Sequence, residues 1–292
     1  MILKTTLFLS ATVTAMAFAT LSSSPALADD CLLDTNNDGN ADTNVDTDGG
    51  ADSSGTDERL ACGVSAEASG PFSTAVGGYS VASSRDASAF GHNANATADD
   101  ATAIGTDALA SGADSLAVGQ NASATSSRAI ALGDSSSASQ VGSIAVGRSS
   151  NASGTTSIAI GGDGDDSGSE GAQATAIFAI ALGADANASG DYSTAIGRRA
   201  QSSNTDAVAI GRDSYADGLY STAVGSKATA TGTSSLAVGY NANASRYSVA
   251  VGAASEATGY ISSAIGQSAA ATGDRSFAAG YAANAEGASS IA

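Results

Sequence analysis

Two stretches near the N-terminus carry side-chain oxygens at the spacing a hard cation requires. Asp34-Thr35-Asn36-Asn37-Asp38-Gly39-Asn40-Ala41-Asp42 reads D-x-N-x-D-G-x-x-D, and Asn44-Val45-Asp46-Thr47-Asp48-Gly49-Gly50-Ala51-Asp52 repeats it as N-x-D-x-D-G-x-x-D. Oxygen ligands at alternate positions, with a Gly at the sixth for the sharp turn, are what calcium coordination asks for. The candidate ligands are therefore Asp34, Asn36, Asp38, Asn40, Asp42, Asn44, Asp46, Asp48 and Asp52. The twelfth position of the first copy is Val45 where a bidentate Glu would close the site, so the expected affinity is in the weak extracellular range. The competing reading is an acidic, Gly-rich linker whose charges are simply solvated.

The first half of this pattern is similar to EF-hand and thrombospondin-type loops, although no helical pattern flanks it. Two cysteines, Cys31 and Cys62, bracket the stretch. Residues 29–62 hold ten Asp or Glu and one Arg. In an exported chain an even pair of cysteines favours a disulfide. It would close a loop of roughly thirty residues and stabilise it by roughly 3–4 kcal/mol in the chain-entropy picture. Export is expected from the N-terminus. Lys4 supplies a positive start, Leu7 to Leu21 is apolar and uncharged, and Ala26-Leu27-Ala28 is a small-x-small cleavage site before Asp29. The apolar run is too short to span a membrane.

Other chemistry is sparse. Gly161-Gly162-Asp163-Gly164-Asp165-Asp166 matches the start of a calcium nonapeptide, but a single copy lacks the stacked neighbour such a site needs, so an exposed loop is the preferred reading of 162–171. Asn-x-Ser/Thr sequons occur at Asn95, Asn121, Asn151, Asn187 and Asn243, and are read as turn-adjacent residues wanted for left-handed geometry rather than as glycosylation sites. The one histidine, His92, has no partner that repeats with it. No nucleophile–base–acid set, paired carboxylate or phosphate loop survives inspection, so no enzyme is expected. Beyond residue 62 there are nineteen acidic residues against nine Arg or Lys, which excludes a nucleic-acid face. The basic residues, Arg198, Arg199, Arg212, Lys227, Arg246 and Arg275 among them, read as scattered surface.

The elements that must carry this surface are set by a repeat. A phrase Ser/Ala-x-Ala-aliphatic-Gly ends at Gly77, Gly91, Gly105, Gly119, Gly133, Gly147 and Gly161, then, after a gap of twenty-two, at Gly183, Gly197, Gly211, Gly225 and Gly239, and again at Gly252, Gly266 and Gly280. A fixed fourteen-residue period sustained this long defines a repeat architecture. Within Ser143-Ile144-Ala145-Val146-Gly147 the alternation is that of a strand: Ile144 and Val146 point one way, Ser143 and Ala145 the other. The second half of each unit, as in Ala228-Thr229-Ala230-Thr231-Gly232, is a second strand and turn. Two strands and two turns make one coil of a flat parallel solenoid, and fifteen coils at ~4.8 Å give a rod on the order of 70 Å. One or two aliphatic residues per coil make no independent core. The aliphatic stripe is expected to be buried across coils, the Ala and Gly face to admit a second chain, and the protein to be an obligate homo-oligomer.

Ser143-Ile144-Ala145-Val146-Gly147, Ala207-Val208-Ala209-Ile210-Gly211 and their copies resemble the head repeats of YadA-like trimeric autotransporter adhesins, over residues 63–292. The resemblance implies an all-β fold, a parallel left-handed β-roll of fourteen-residue repeats, assembled as a homotrimer. It also implies display on a Gram-negative outer membrane and adhesion to extracellular matrix, host cells or sister cells. The expected organisation is a signal peptide at 1–28, an acidic Cys-bracketed segment at 29–62, and head repeats at 63–292 with an insertion at 162–171. Ser290-Ile291-Ala292 falls in mid-repeat, so the sequence reads as stopping before the family's stalk and membrane anchor. A secreted ice- or mineral-binding solenoid is the rival. It asks for one identical residue at each coil, whereas the position three before Gly varies from Thr74 to Ser88, Leu116 and Ile144.

Overall fold

A computed structural model of the chain describes residues 50–53, 58–164 and 170–292. Each repeat makes one coil. A three-residue strand such as Ile144–Val146 runs up to the Gly, a turn follows, a two-residue strand such as Asn151–Ala152 runs back, and a second turn closes the coil. Successive coils stack into two parallel sheets of sixteen strands each, in strict sequence order. Like pairs with like: Ile144 with Ile158, Ala145 with Ala159, Val146 with Ile160. The ladders hold because strand N–H groups meet carbonyls on the neighbouring coils, as in Thr74 N–H to Ala87 O on the next coil at 2.9 Å and Gly77 N–H to Cys62 O on the preceding one at 2.8 Å.

The core lies between the sheets, and it is made of Ala and Ser. Ala145, Ala159, Ala209 and Ala223 are wholly inaccessible, as are Ser143, Ser150 and Ser157. The aliphatic residues of the same strands stand outside: Ile144 and Val146 are half-buried, and Ile104, Ile160 and Ile265 are exposed. The strand alternation is as the sequence predicts, but the sides are the reverse of the expectation that aliphatics fill the core and Ala faces a partner. The reason is volume. A turn of only four residues, as in Gly77-Gly78-Tyr79-Ser80, sets the two sheets close together. A gap that narrow accepts a methyl or hydroxymethyl group and nothing larger at interior packing density.

The turns explain two other recurring residues. At Gly211 φ is +134°, and a Cβ there would lie 2.5 Å from the carbonyl oxygen of Gly225 on the next coil, so the position is closed to any side chain. Buried Ser hydroxyls tie the same turn: Ser136 Oγ donates to Gly133 O and Ser150 Oγ to Gly147 O, each at 2.9 Å. The left-handed residue is the second after the Gly, and its counterpart recurs in the other turn, as in Tyr79 (φ 60°), Asp86 (55°), Asn93 (55°) and Asp100 (58°). Of the five sequon asparagines only Asn121 has this conformation (φ 54°). Asn95, Asn151, Asn187 and Asn243 instead open the short strands, next to the turn, which corrects the expectation of left-handed geometry at these four.

Irregular coils are absorbed in turns without breaking register. The extra residues between Gly161 and Gly183 leave Ile158 paired with Ile180 and Asn151 with Gln173. The short coil before Gly252 drops a residue at Ser245-Arg246-Tyr247, and Leu236 still pairs with Val249. At the N-terminal end the roll reaches further than the boundary at residue 62. Leu60–Cys62 is a full strand of the first sheet, paired with Thr74–Val76, and Ala51 and Ser53 are buried where Asp52 bridges to Glu67. Arg59-Leu60-Ala61-Cys62-Gly63 is thus a sixteenth copy of the phrase, hidden by its cysteine.

Candidate functional site

With an interior of Ala and Ser, every large side chain the roll carries is on its outside, and the candidate site is that surface. It has four strips. The outer face of the first sheet is a column of aliphatic residues with Thr or Ser interspersed, from Thr74 and Val76 through Ile130 and Leu132 to Ser263 and Ile265. The outer face of the second sheet bears one residue per coil and is mostly polar: Glu67, Asn95, Ser123, Ser137, Asn151, Gln173, Asn187, Gln201. Asn151 donates to Gln173 along this column at 3.0 Å. Runs of one residue occur, as in Ile130, Ile144, Ile158 and Ile180, but neither column keeps one residue type along its whole length.

The two edges are built from the turns. The edge after each Gly, here the glycine edge, carries Arg198 and Arg199 on one coil, Arg212 and Asp213 on the next, and Lys227 on the third. The fold therefore gathers four basic residues that look scattered in sequence. Arg199 is paired with Asp213 at 2.7 Å, and Arg212 reaches the same carboxylate at 3.5 Å. His92 sits on this edge with its ring against Tyr79, 5.7 Å between centroids. The opposite edge, where the chain returns to the first sheet, carries Phe178, Tyr192, Tyr220, Tyr247, Tyr260 and Ile261, all exposed. Phe178 and Tyr192 stack at 5.4 Å, and Tyr247 meets Tyr260 edge-on at 5.8 Å. Nothing in the repeat phrase marks these rings; only their common place, five or six residues before the next Gly of the phrase, followed coil by coil, puts them on one line.

The sequence-predicted ligands are largely not placed. Cys31, Asp34, Asn36, Asp38, Asn40, Asp42, Asn44, Asp46 and Asp48 lie outside the described residues. Asp52 belongs to the roll: its N–H donates to Ala66 O and its carbonyl accepts from Ala68 N–H, both at 2.8 Å. Cys62 ends the first strand and is disulfide-bonded. In the insertion, Asp163 is held by Arg148 at 2.7 Å. Among the described residues no three His, Cys, Asp or Glu side chains are grouped to hold a metal, and no helix is long and apolar enough to cross a membrane. One titrating group stands out. Burial pushes the Tyr215 phenol above its usual value of 10.0, and the Asp217 carboxylate adds to the shift.

A parallel roll with an Ala–Ser interior and an aliphatic outer face defines a repeat head of the β-roll class. The chain belongs to the YadA head domain repeat family, whose model matches residues 60–80, 82–108, 110–136, 138–163, 174–200, 202–228, 230–247, 257–282 and 271–292. Among solved structures it is similar to the collagen-binding domain of the Yersinia adhesin YadA, at 25% identity and a TM-score of 0.18. That match covers 62% of this chain and 65% of the other, a little under two thirds of it. Comparison with curated proteins gave no match.

Proposed function

We propose that this chain forms the head of a trimeric, surface-displayed adhesin, which binds extracellular matrix or the surfaces of host or sister cells and catalyses nothing. The observation that carries the reading is the continuous aliphatic column on the outer face of the first sheet, set against a polar second sheet. A soluble monomer rarely leaves so long an apolar strip in water. Completing the burial of one half-exposed Ile or Val contributes on the order of 1 kcal/mol. Repeated at every coil, that is ample drive for three copies to pack their first sheets around a common axis, in the left-handed trimeric arrangement that the family resemblance implies. The second sheet and parts of the edges then remain outward for adhesion, and three identical faces on one head supply avidity. Export by a signal peptide at 1–28 and display at the outer membrane belong to the same proposal.

The experiment is direct. The purified chain is tested for binding to immobilised collagen and fibronectin and to bacterial cells, with thermal hysteresis measured in parallel. Saturable binding to one of these surfaces supports the adhesin. A chain that binds none of them but depresses freezing would assign the rival ice-binding function.

A further inference from the structure

The return edge carries more than hydrophobic exposure. Its left-handed position is occupied on successive coils by Tyr192, Asp206, Tyr220, Ser234 and Tyr247, with φ between 54° and 59°. Rings and small polar residues therefore alternate. Coils stack at ~4.8 Å, so the ring-bearing positions stand ~9.6 Å apart with one polar coil between them. In the polar coils the side chains of Thr205 and Asp206, and of Thr233 and Ser234, make no hydrogen bond to the protein among the described residues. The backbone beneath is fixed: Tyr220 N–H donates to Thr205 O at 3.1 Å, Ser234 N–H to Leu219 O at 2.8 Å and Tyr247 N–H to Thr233 O at 2.9 Å. Tyr192 is 55% and Tyr220 56% exposed.

These rings also sit where rings are disfavoured. Asp, Asn and Gly adopt left-handed geometry readily, and other coils of this edge use them, as at Asp86, Asp100, Asp114 and Gly142. Bulky residues held there cost local stability, and such outliers point from strain towards function. A partner for this strip must offer apolar faces at about a two-coil spacing and hydroxyl groups between them. Saturated sugar rings have both: C–H faces that stack on aromatic rings and hydroxyls that hydrogen-bond to Asp, Ser and Thr. Asp191 and Asp206 on the strip, on a chain of net charge −18, disfavour an anionic polymer.

We propose that the return edge from Tyr192 to Tyr247 is a binding strip for an uncharged, hydroxyl-rich glycan. The proposal rests on the adhesive reading above and names the class of surface molecule the head takes.

The test titrates the full chain with uncharged hexaoses of glucose, mannose, galactose and N-acetylglucosamine, with heparin and a (Pro-Pro-Gly) repeat peptide as contrasts. Tyrosine fluorescence is the readout, since the chain has no Trp, together with saturation transfer to the sugar protons. At least one neutral hexaose should bind and heparin should not. Tyr220→Asn should weaken binding by about fivefold or more, as expected for loss of one stacking contact. Asn tolerates the left-handed position, so this variant should melt no lower than the native chain. Tyr79→Asn, on the glycine edge, should leave binding unchanged. The proposal is overturned if no neutral hexaose binds, if Tyr220→Asn binds equally, or if only the proline-rich peptide competes at this edge. It is also overturned if Tyr220→Asn dissociates the oligomer, which would assign the strip to a contact between chains. Cell adhesion that persists in Tyr220→Asn without any sugar binding sinks the glycan strip alone; loss of oligomer and of all adhesion in the native chain sinks the adhesin reading itself.

Discussion

Ala209→Val is the sharpest probe of which side of the strand is inside. Ala209 is wholly inaccessible, is paired in register with Ala195 on one side and Ala223 on the other, and shares a packed cluster with Ala216. Val adds two methyl groups to a gap that holds one methyl from each sheet. Overpacking of this kind costs about 1–3 kcal/mol, and the expected value is near the top of that range because parallel ladders on both sides keep the strand from moving away. Ile210, the next residue, is 37% exposed. Ile210→Val removes one methyl from the outer face and should cost less than about 1 kcal/mol in the roll itself. The assay is urea unfolding followed by far-UV circular dichroism, at equal protein concentrations. Ala209→Val should lower the midpoint clearly and Ile210→Val hardly at all. The opposite order, with Ala209→Val neutral and Ile210→Val strongly destabilising, would mean that the aliphatic face is the interior and would refute the volume argument.

Reducing Cys62 should destabilise the N-terminal coils by roughly 3–4 kcal/mol if the loop it closes is the one to Cys31; limited proteolysis with and without dithiothreitol reads this as earlier cleavage ahead of Thr74. Isothermal titration of the whole chain with calcium should show weak, millimolar-range heat that is lost in a variant with Asp34, Asp38, Asp46 and Asp48 all changed to Asn, and absence of heat in the native chain would leave the acidic segment as a solvated linker. Tyr215 should titrate above the usual tyrosine value of 10.0 by ultraviolet absorbance. Because its folded pKa is raised above the unfolded 10.0, it holds its proton longer when folded, so the roll should lose stability as pH climbs above 10. Tyr215→Phe should remove that part of the alkaline loss.

The period, the strand alternation and the turn glycines were all legible in the sequence, because each is a local requirement repeated many times. A Gly with φ near +134° against the next coil's backbone tolerates no substitute, so it recurs at every unit. The side on which the core lies was not legible. Ala-Val alternation is the same string whether Val or Ala points inward, and the decision rests on sheet separation, which the four-residue turn sets in three dimensions. The Leu60–Cys62 strand reads in the sequence only as a half-repeat leading into the roll, because Cys62 stands where the aliphatic is expected, although it fills the same outward position as Val76. The aromatic strip was missed for another reason. Tyr192, Tyr220 and Tyr247 are twenty-seven or twenty-eight residues apart, and only coil stacking makes them neighbours.

The central claim is that the aliphatic column of the first sheet is a seam between copies of this chain. The mass of the purified chain in solution, by light scattering, tests it most directly when compared with a variant carrying Ile130→Ser, Ile144→Ser and Ile158→Ser on three adjacent coils. The account predicts three chains for the native protein, and a smaller species with unchanged β-sheet circular dichroism for the variant. A native mass of one chain, with that face stable in water, would contradict it.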